Sequence, residues 1–279
     1  MIKKSSSDSG DNLAGNPEQG PVSDDDSPTG NNGAGTNRPA VPKATTKAEI
    51  TRQRILSAAL TLFREKGFDE TTMRDIAAAA DISTGAAYYY FASKDDLAMQ
   101  FYMDIAQESR SVIPQEIART RDLSKRLHYI IVQKLEQLSG HRRFMVSLFR
   151  TAVDPGSPVS PFASQTRALR DEAIGWFELA LRDSNTAIPK EFRAGLPKLL
   201  WLYQMGTVLF WVYDRSPGQQ RTYRLVDGTI GLMVQGLKLS SLPLMGGIRR
   251  KMATLMQDLD LDDGVDTKKF ITGKGISHE

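Results

Sequence analysis

The residues best suited to chemistry in this chain are two tyrosines and a lysine near position 90. Tyr88 and Tyr89 stand near the end of one short predicted helix, and Ser93 with Lys94 opens the next. Tyrosine hydroxyls can bond phosphate oxygens, and tyrosine rings can pack on sugars and thymine methyl groups. A helix N-terminus offers free N–H groups to a phosphate, and a lysine there adds positive charge. These residue types in this order predict contact with a nucleic acid.

Four predicted helices between residues 46 and 103 position these side chains. In the first, apolar residues recur at i, i+4, i+7 and i+8 from Ile55 to Phe63, which is one face of a helix. Gly67 follows as the left-handed residue that ends this helix. The next three helices begin at the N-cap residues Thr71 or Thr72, Ser83 and Ser93. No strand signal interrupts them, so the sequence predicts an all-α fold.

Residues 72–91 have the spacing of a helix-turn-helix. Small and apolar side chains on both helices would lock them together, and the turn falls at Asp81. Aspartate tolerates the positive φ of such a turn better than most residues do. We expect Tyr90 and Phe91 to complete the small core of this unit, while the two preceding tyrosines stay on its surface.

Composition excludes several other functional classes. The chain has no cysteine, which rules out disulfides, thiolate metal sites and a cysteine nucleophile. Its three histidines are far apart in sequence, so we expect no metal site. No paired carboxylates, Ser/His/Asp set or phosphate-binding loop can be identified. The sequence therefore predicts no catalytic residues, no cofactor and no enzyme.

The ordered combination of motifs in residues 51–97 resembles the TetR-type transcriptional repressors of bacteria. The segments that carry the resemblance are Arg54-Ile55-Leu56, Ala58-Ala59-Leu60, Gly67-Phe68, TTMRDIA (71–77), GAAYYYF (85–91) and SKDDL (93–97). The family usually has glycine where this chain has Asp81. The resemblance implies a DNA-binding head, a larger helical ligand domain, a homodimer, and release of DNA when a ligand binds.

The resemblance also implies which side chains contact double-stranded DNA. Thr72, Tyr88 and Lys94 would bind phosphates. The residues nearest base edges would be Arg74, Thr84, Gly85 and Tyr89. Arg52 and Arg54 at the start of the first helix, and the cap residue Ser83, complete the predicted set. Because residues 46–103 carry seven basic and eight acidic side chains, binding must rest on placed contacts and not on a basic stripe.

Composition divides the chain into four predicted segments. Residues 1–45 form a disordered tail, because 28 of them are Gly, Pro, Ser, Asn or acidic and none is aromatic. Residues 46–103 are the helix-turn-helix domain, residues 104–243 the ligand-binding and dimerisation domain, and residues 244–279 an amphipathic helix with a loose end.

The longest apolar run, 199–213, is shorter than the roughly 20 residues of a membrane span. We expect a cytoplasmic protein that does not enter the membrane.

The larger domain reads as five further helices. Their predicted ranges are 115–138, 142–152, 163–184, 192–213 and 219–240, with Pro114 as the first break. The run 199–213 is apolar all round, which indicates burial on both sides. The last helix has one broad apolar face, and Gly228, Gly231 and Gly236 would permit a close approach. These two helices favour a four-helix interface around a two-fold axis.

Aromatic residues in this domain predict a cavity for a small apolar or aromatic effector. The predicted lining residues are Phe144, Trp176, Phe177, Trp201, Tyr203, Gln204 and Thr207. An ordinary aromatic core is the alternative reading of any one of them. The function predicted from the sequence is a dimeric repressor that leaves a palindromic operator when the effector binds. A helix-turn-helix protein without a small-molecule inducer, regulated by a partner or by expression, remains the alternative.

Overall fold

The computed structural model describes residues 46–152, 154 and 156–257. The predicted disordered tail (1–45) and residues 258–279, which include the predicted loose end, lie outside the described residues. Within the described ranges the chain is all-α, with ten α-helices and no strand, as the sequence predicts. None of these helices is both long enough and apolar enough to cross a bilayer.

The helices follow one another with short connections. They are α1 (Lys47–Glu65), α2 (Met73–Ala79), α3 (Thr84–Tyr90), α4 (Lys94–Ala118), α5 (Leu123–Ser139), α6 (Arg142–Ala152), α7 (Arg167–Arg182), α8 (Leu196–Tyr213), α9 (Gln220–Ser240) and α10 (Gly246–Gln257). Single 3-10 turns lie at Lys190–Phe192, Pro217–Gln219 and Pro243–Met245. Helix α6 has its predicted bounds, and α7, α8 and α9 start within four residues of their predicted starts.

The turns of the N-terminal unit have the backbone geometry that the sequence predicts. Gly67 ends α1 with φ +98°, and Asp81 forms the turn between α2 and α3 with φ +53°. Thr72 and Ser93 each build a capping box, in which the side chain accepts from the N–H three residues on and the aspartate there accepts in return. Ser83 caps α3 by accepting from Ala86 N. Local chemistry therefore fixes the start of each of these helices.

The expected break at Pro114 is wrong, because α4 continues through this residue to Ala118. A proline inside a helix removes one backbone hydrogen bond and costs about 3 kcal/mol relative to alanine. Ile113 and Ile117 lie on either side of it and are both buried in the core of the larger domain. That burial offsets the lost bond. The chain turns instead just before α5, where Asp122 accepts from Lys125 N.

The core of the N-terminal unit extends into α6. Phe144 of α6 is fully buried and stacks on Phe63 of α1 with ring centroids 4.9 Å apart. Phe68, just after Gly67, lies against both rings. A Cβ placed on Gly67 would come within 2.8 Å of Ser147 Oγ, so glycine also permits this close approach. The helix-turn-helix unit is thus joined to the larger domain by packed side chains.

A second core lies between the end of α4 and helices α5, α7, α8 and α9. Helix α8 buries Leu200, Trp201 and Val208 on one side. Its other side exposes Leu209, Phe210 and Tyr213, so the described residues do not bury this helix on both sides. The predicted C-terminal amphipathic helix is present as α10. It is held to the larger domain by Arg249, which donates to Ser240 O and pairs with Glu191.

The loop between α8 and α9 is organised by one buried carboxylate, that of Asp214. Its Oδ1 accepts from the N–H and hydroxyl of Ser216, and its Oδ2 accepts from the N–H and hydroxyl of Thr222. Burial by itself raises the pKa of Asp214, but these four hydrogen bonds outweigh it and hold the pKa well below its usual range. The ionised form is therefore the one that the fold stabilises.

Asp214→Asn should lower the melting temperature at pH 7, because an amide cannot accept all four bonds and turns one N–H₂ group toward donors. A folded-state pKa below the unfolded value of 3.8 contributes stability that is present above pH 3.8 and is lost as the pH falls further. The difference in melting temperature between wild type and variant should therefore become smaller below about pH 4. Thermal melts of both proteins across this pH range measure it, and a gap independent of pH would contradict the assignment.

Candidate functional site

The outer side of α3 presents two tyrosine rings. Tyr89 is 84% exposed and Tyr88 is 51% exposed, whereas Phe91 is buried and Tyr90 is half-buried, as predicted. The rings of Tyr89 and Tyr90 meet edge to face with centroids 5.3 Å apart. This contact limits the positions that the exposed Tyr89 ring can adopt. Two hydroxyls and two aromatic faces are consequently available to a partner at the end of α3.

The starts of α2 and α3 carry most of the other predicted contacts. Thr72, Arg74 and Ser83 are exposed, and Thr84 is half-buried. Thr72 Oγ1 is already used in its capping box, where it accepts from Asp75 N and donates to Asp75 Oδ2. The Asp75 carboxylate accepts from the Thr72 backbone N–H and from the Thr72 hydroxyl, and these two bonds, together with the charges of Lys66 and Arg74, lower the pKa of Asp75.

Gly85 in the first turn of α3 is exposed, and a Cβ there would meet no atom of another element within 4 Å. The packing of this chain therefore does not require glycine at this position. A flat backbone surface allows close approach by an outside molecule.

Two of the predicted cations are engaged inside the protein. Lys94 Nζ donates to Phe68 O at 2.7 Å and to Asp69 O at 3.1 Å, and it lies over the Phe68 ring. An ammonium group has three donors, so one remains for a phosphate. Arg52 donates to Gln100 Oε1 at 2.7 Å and lies over the Phe91 ring. Lys94 thus ties the start of α4 to the loop between α1 and α2, and Arg52 ties α1 to α4. Arg54, in contrast, is exposed on α1.

A cavity of about 160 Å³ lies between α4, α5, α6, α7 and α8. Of the seven predicted lining residues, the structure places Trp176, Trp201 and Gln204 on its wall. The ring of Trp201 meets Phe162 edge to face with centroids 5.4 Å apart. Gln204 is buried and donates to Ile130 O. The larger domain thus contains a cavity, and its wall includes three of the seven residues that the sequence predicted.

The other four predicted lining residues lie elsewhere. Phe144 belongs to the aromatic core beneath α1, and Phe177 is buried in the second core. Tyr203 points to α9, where its hydroxyl bonds Thr229 Oγ1. Thr207 donates to Tyr203 O, one turn earlier in α8. None of these four side chains belongs to the lining of the cavity.

Sequence reasoning missed three charged residues of the cavity wall, namely Lys134, Arg170 and Glu172. A signal for the first was available. Lys134 interrupts the apolar stripe of α5 four residues after Ile130 and four before Leu138, where a hydrophobic side chain is expected. Burial lowers the pKa of Lys134 to about 8, and the charges of Glu108 and Glu172 act in the opposite direction. The amine is therefore mainly protonated at neutral pH.

The other charges near the cavity are paired or bonded. Glu172 is held by Arg110, which donates from Nε and Nη2 to its two oxygens at 2.7 and 2.6 Å. Arg170 is 3% exposed and donates to Pro161 O and Ala163 O. Among the described residues no three His, Asp or Glu side chains converge to hold a metal ion. The cavity is thus an apolar space with cationic groups in its wall.

Comparison with known proteins agrees with this architecture. Two family models match: bacterial regulatory proteins of the tetR family over residues 55–100, and the tetracyclin repressor-like C-terminal domain over residues 126–250. The HTH-type transcriptional regulator HbdR of Aromatoleum sp. (strain CIB) is 39% identical over 69 residues, which are 25% of this chain and 30% of that protein. The chain spans about a third of the length of such curated relatives.

Solved structures share the fold. A putative TetR-family regulator from Syntrophomonas wolfei superposes with a TM-score of 0.54 at 21% identity, over 68% of this chain and 97% of the other. A tetR-family regulator from Streptomyces coelicolor gives a TM-score of 0.52 at 21% identity, over 81% and 99%. The two family models together match more than half of the sequence, with the helix-turn-helix unit in the first and most of the cavity in the second. The chain belongs to the TetR family of bacterial transcriptional regulators.

Proposed function

We propose that this protein is a homodimeric repressor that binds a palindromic operator and is released from it by a small apolar effector. The observation that carries the proposal is that one pair of helices, α4 and α6, borders both the cavity and the helix-turn-helix core. DNA recognition is assigned to α2, α3 and the start of α4, and effector binding to the cavity. The family regulates transcription, and the specific contacts below are our assignment.

The exposed tyrosines support α3 as the recognition helix. Tyr88, Tyr89 and Gly85 are exposed on a helix whose inner side is locked by the buried Ala87. In a helix-turn-helix the second helix enters the major groove and its side chains reach base edges. Arg74, Thr84, Gly85 and Tyr89 are therefore assigned to bases, and Thr72, Tyr88 and the remaining donor of Lys94 to phosphates. Arg52, Arg54 and Ser83 complete the proposed docking surface.

Tyr89→Ala should weaken operator binding about 5–150-fold, since a good base contact is worth roughly 1–3 kcal/mol. Its melting temperature should stay near that of wild type, because the ring is 84% exposed. Fluorescence anisotropy with labelled operator measures the affinity. Tyr89→Phe is the matched control that keeps the ring and removes only the hydroxyl. If Tyr89→Ala bound the operator with wild-type affinity, this result would contradict the assignment of α3 to the DNA interface.

An exposed apolar face on α8 and α9 supports the homodimer. Its large side chains are Leu209, Phe210, Tyr213, Leu225, Leu232 and Leu239. Gly206, Gly228 and Gly236 lie between them, and no atom of another element would touch a Cβ on any of the three. Gly231 lies at the edge of a groove toward α5, away from this face. Two copies related by a two-fold axis would bury the face in a four-helix interface.

Helices α4 and α6 offer a physical route from the cavity to the DNA-binding unit. Met145 and Leu148 of α6 line the cavity, while Phe144 and Ser147 of the same helix pack on α1 and its end. Helix α4 lines the cavity through Ile105 and Ser109, and it begins at Lys94. A ligand that displaces these helices would change the spacing of the two heads. Heads about 34–36 Å apart fit successive major grooves.

Two measurements test the proposed function. Selection of bound duplexes from a random pool should return a palindrome, since a two-fold dimer binds two related half-sites. Addition of effector should then lower operator affinity by about 5–150-fold, the usual range for coupling between sites. A palindrome without any ligand-dependent shift would favour a helix-turn-helix regulator that has no small-molecule inducer. A non-palindromic motif would contradict the symmetric dimer.

A further inference from the structure

The wall of the cavity combines an apolar surface with two cations and with one carboxylate, that of Glu172, which Arg110 holds at both oxygens. Trp176, Trp201 and Met205 belong to a lining that is mostly carbon, and Lys134 and Arg170 stand among such residues. A buried charge is costly unless it is paired. Hydrophobic side chains of similar size at these positions would close the cavity wall without that cost. The cations therefore call for an explanation beyond packing.

The charges of Glu108 and Glu172 act on the ammonium group of Lys134 from a distance. Among the described residues, none accepts a hydrogen bond from this group or forms an ion pair with it. Glu172 is already held at both oxygens by Arg110, and Glu108 is exposed on the outer side of α4. The ammonium group of the half-buried Lys134 thus lies beside a mostly apolar space, with three donors that no described residue engages.

Arg170 adds a second observation that points to an anion. Its side chain is 97% buried, because only 3% is exposed, and it lines the same cavity. Nη1 donates to two backbone carbonyls, whereas Nε has no acceptor among the described residues. Arg170 lies on the inner side of α7, four residues before the buried Ile174. Two elements, α5 and α7, therefore each turn a positive group toward the cavity.

The size of the cavity limits the apolar part of the ligand. Its volume of about 160 Å³ is close to that of an engineered cavity of ~150 Å³ that binds benzene. The two indole rings on the wall are suited to pack against one aromatic ring, face to edge or offset. A single ring or an equally compact hydrocarbon group is the apolar body that this space accommodates.

We propose that the effector is a compact carboxylic acid, such as an aromatic acid with one ring, whose carboxylate binds Lys134 while its apolar body fills the space beside Trp176 and Trp201. The proposal rests on the proposed function in taking this cavity as the effector site. A carboxylate supplies the hydrogen-bond acceptors that Lys134 lacks among the described residues, and Arg170 adds a second positive charge to the wall of the same cavity. A charge-assisted hydrogen bond in such surroundings is about twice as strong as a neutral one.

The test compares three probes that share a ring and differ in charge, namely benzoate, benzyl alcohol and benzylamine. Each is titrated into the full chain without DNA, and binding is followed by calorimetry and by the fluorescence of Trp176 and Trp201. We expect benzoate to bind at least about tenfold more tightly than benzyl alcohol, and benzylamine to bind weakest. Equal or tighter binding of either other probe, or no binding of benzoate, would overturn the proposal.

Lys134→Met tests the position of the carboxylate, because methionine keeps the length of the chain and removes the charge. Benzoate affinity should fall at least about tenfold, while benzyl alcohol affinity changes by less than about threefold. The melting temperature without ligand should not fall, since an unpaired charge leaves an apolar wall. Lys125→Met is the matched control, a lysine exposed on the same helix. Unchanged benzoate binding in Lys134→Met would place the carboxylate elsewhere and overturn the assignment.

Failure of this inference is distinguishable from failure of the proposed function. Benzoate that binds through Lys134 but leaves operator affinity unchanged would contradict ligand-driven release and support the ligand class. Release of DNA by benzyl alcohol with no effect of benzoate would support the switch and overturn the ligand class. The direct titration without DNA and the operator titration with ligand therefore report on separate claims.

Discussion

Leu232→Arg is expected to convert the protein into a monomer and to lower its operator affinity by about a hundredfold or more. Leu232 is 68% exposed on the apolar face that α9 shares with α8. In the proposed dimer this position is buried against the partner, where an unpaired arginine charge is costly. Loss of the second head removes the avidity of two linked sites, which is worth roughly 10²–10⁴ in affinity. Sedimentation velocity and operator titration measure the two effects.

Gly231→Arg is the matched control, since it introduces the same side chain at the neighbouring position on another side of α9. Gly231 borders a groove that also contains Glu116, Glu136 and Asp227, and a Cβ there meets no atom of another element. The control should remain dimeric and should bind the operator as wild type does. A Leu232→Arg protein that sediments as a dimer would place the interface on another surface.

Trp201→Ala should leave operator binding without ligand close to that of wild type and should abolish or blunt release by the effector. The side chain is 3% exposed and lines the cavity, so its removal takes away the apolar wall on which the ligand packs. Truncation of a buried tryptophan also costs about 3–5 kcal/mol of stability. A thermal melt must therefore show that the variant is folded at the assay temperature. Operator titrations with benzoate and with benzyl alcohol measure release.

Tyr203→Phe is the control for this experiment. Tyr203 lies two residues from Trp201 on α8, but it does not line the cavity. Its hydroxyl forms a hydrogen bond with Thr229 of α9. We expect this variant to release DNA at the ligand concentration that releases wild type. Release of Trp201→Ala at that same concentration would show that the effector binds outside the cavity.

The N-terminal unit shows how far local sequence determines this protein. Gly67 and Asp81 adopt the positive φ that their residue types allow, and Thr72, Ser83 and Ser93 cap the helices that follow them. Caps, turns and the helical period depend on residues three or four apart in the chain. For that reason the all-α fold and the exposure of the α3 tyrosines could be read without coordinates. Pro114 was misread because its local preference is outweighed by burial of its neighbours.

The predicted binding sites depend on contacts between residues that are far apart in the chain. For these contacts the sequence was less informative. Lys94 bonds the carbonyls of Phe68 and Asp69, and Arg52 bonds Gln100 of another helix. A sequence pattern does not show these neighbours. It therefore assigns such cations to contacts with an outside partner.

The cavity makes the same point from inside the molecule. By itself, the sequence determined that the larger domain is helical and rich in aromatic residues. Only the packing of five helices decided that Trp176 and Trp201 line the cavity while Phe144 and Phe177 fill the cores. The same packing placed Lys134 on the cavity wall. Helical periodicity tells which side of a helix is apolar, but the arrangement of the other helices decides whether that side meets a core, a cavity or a partner.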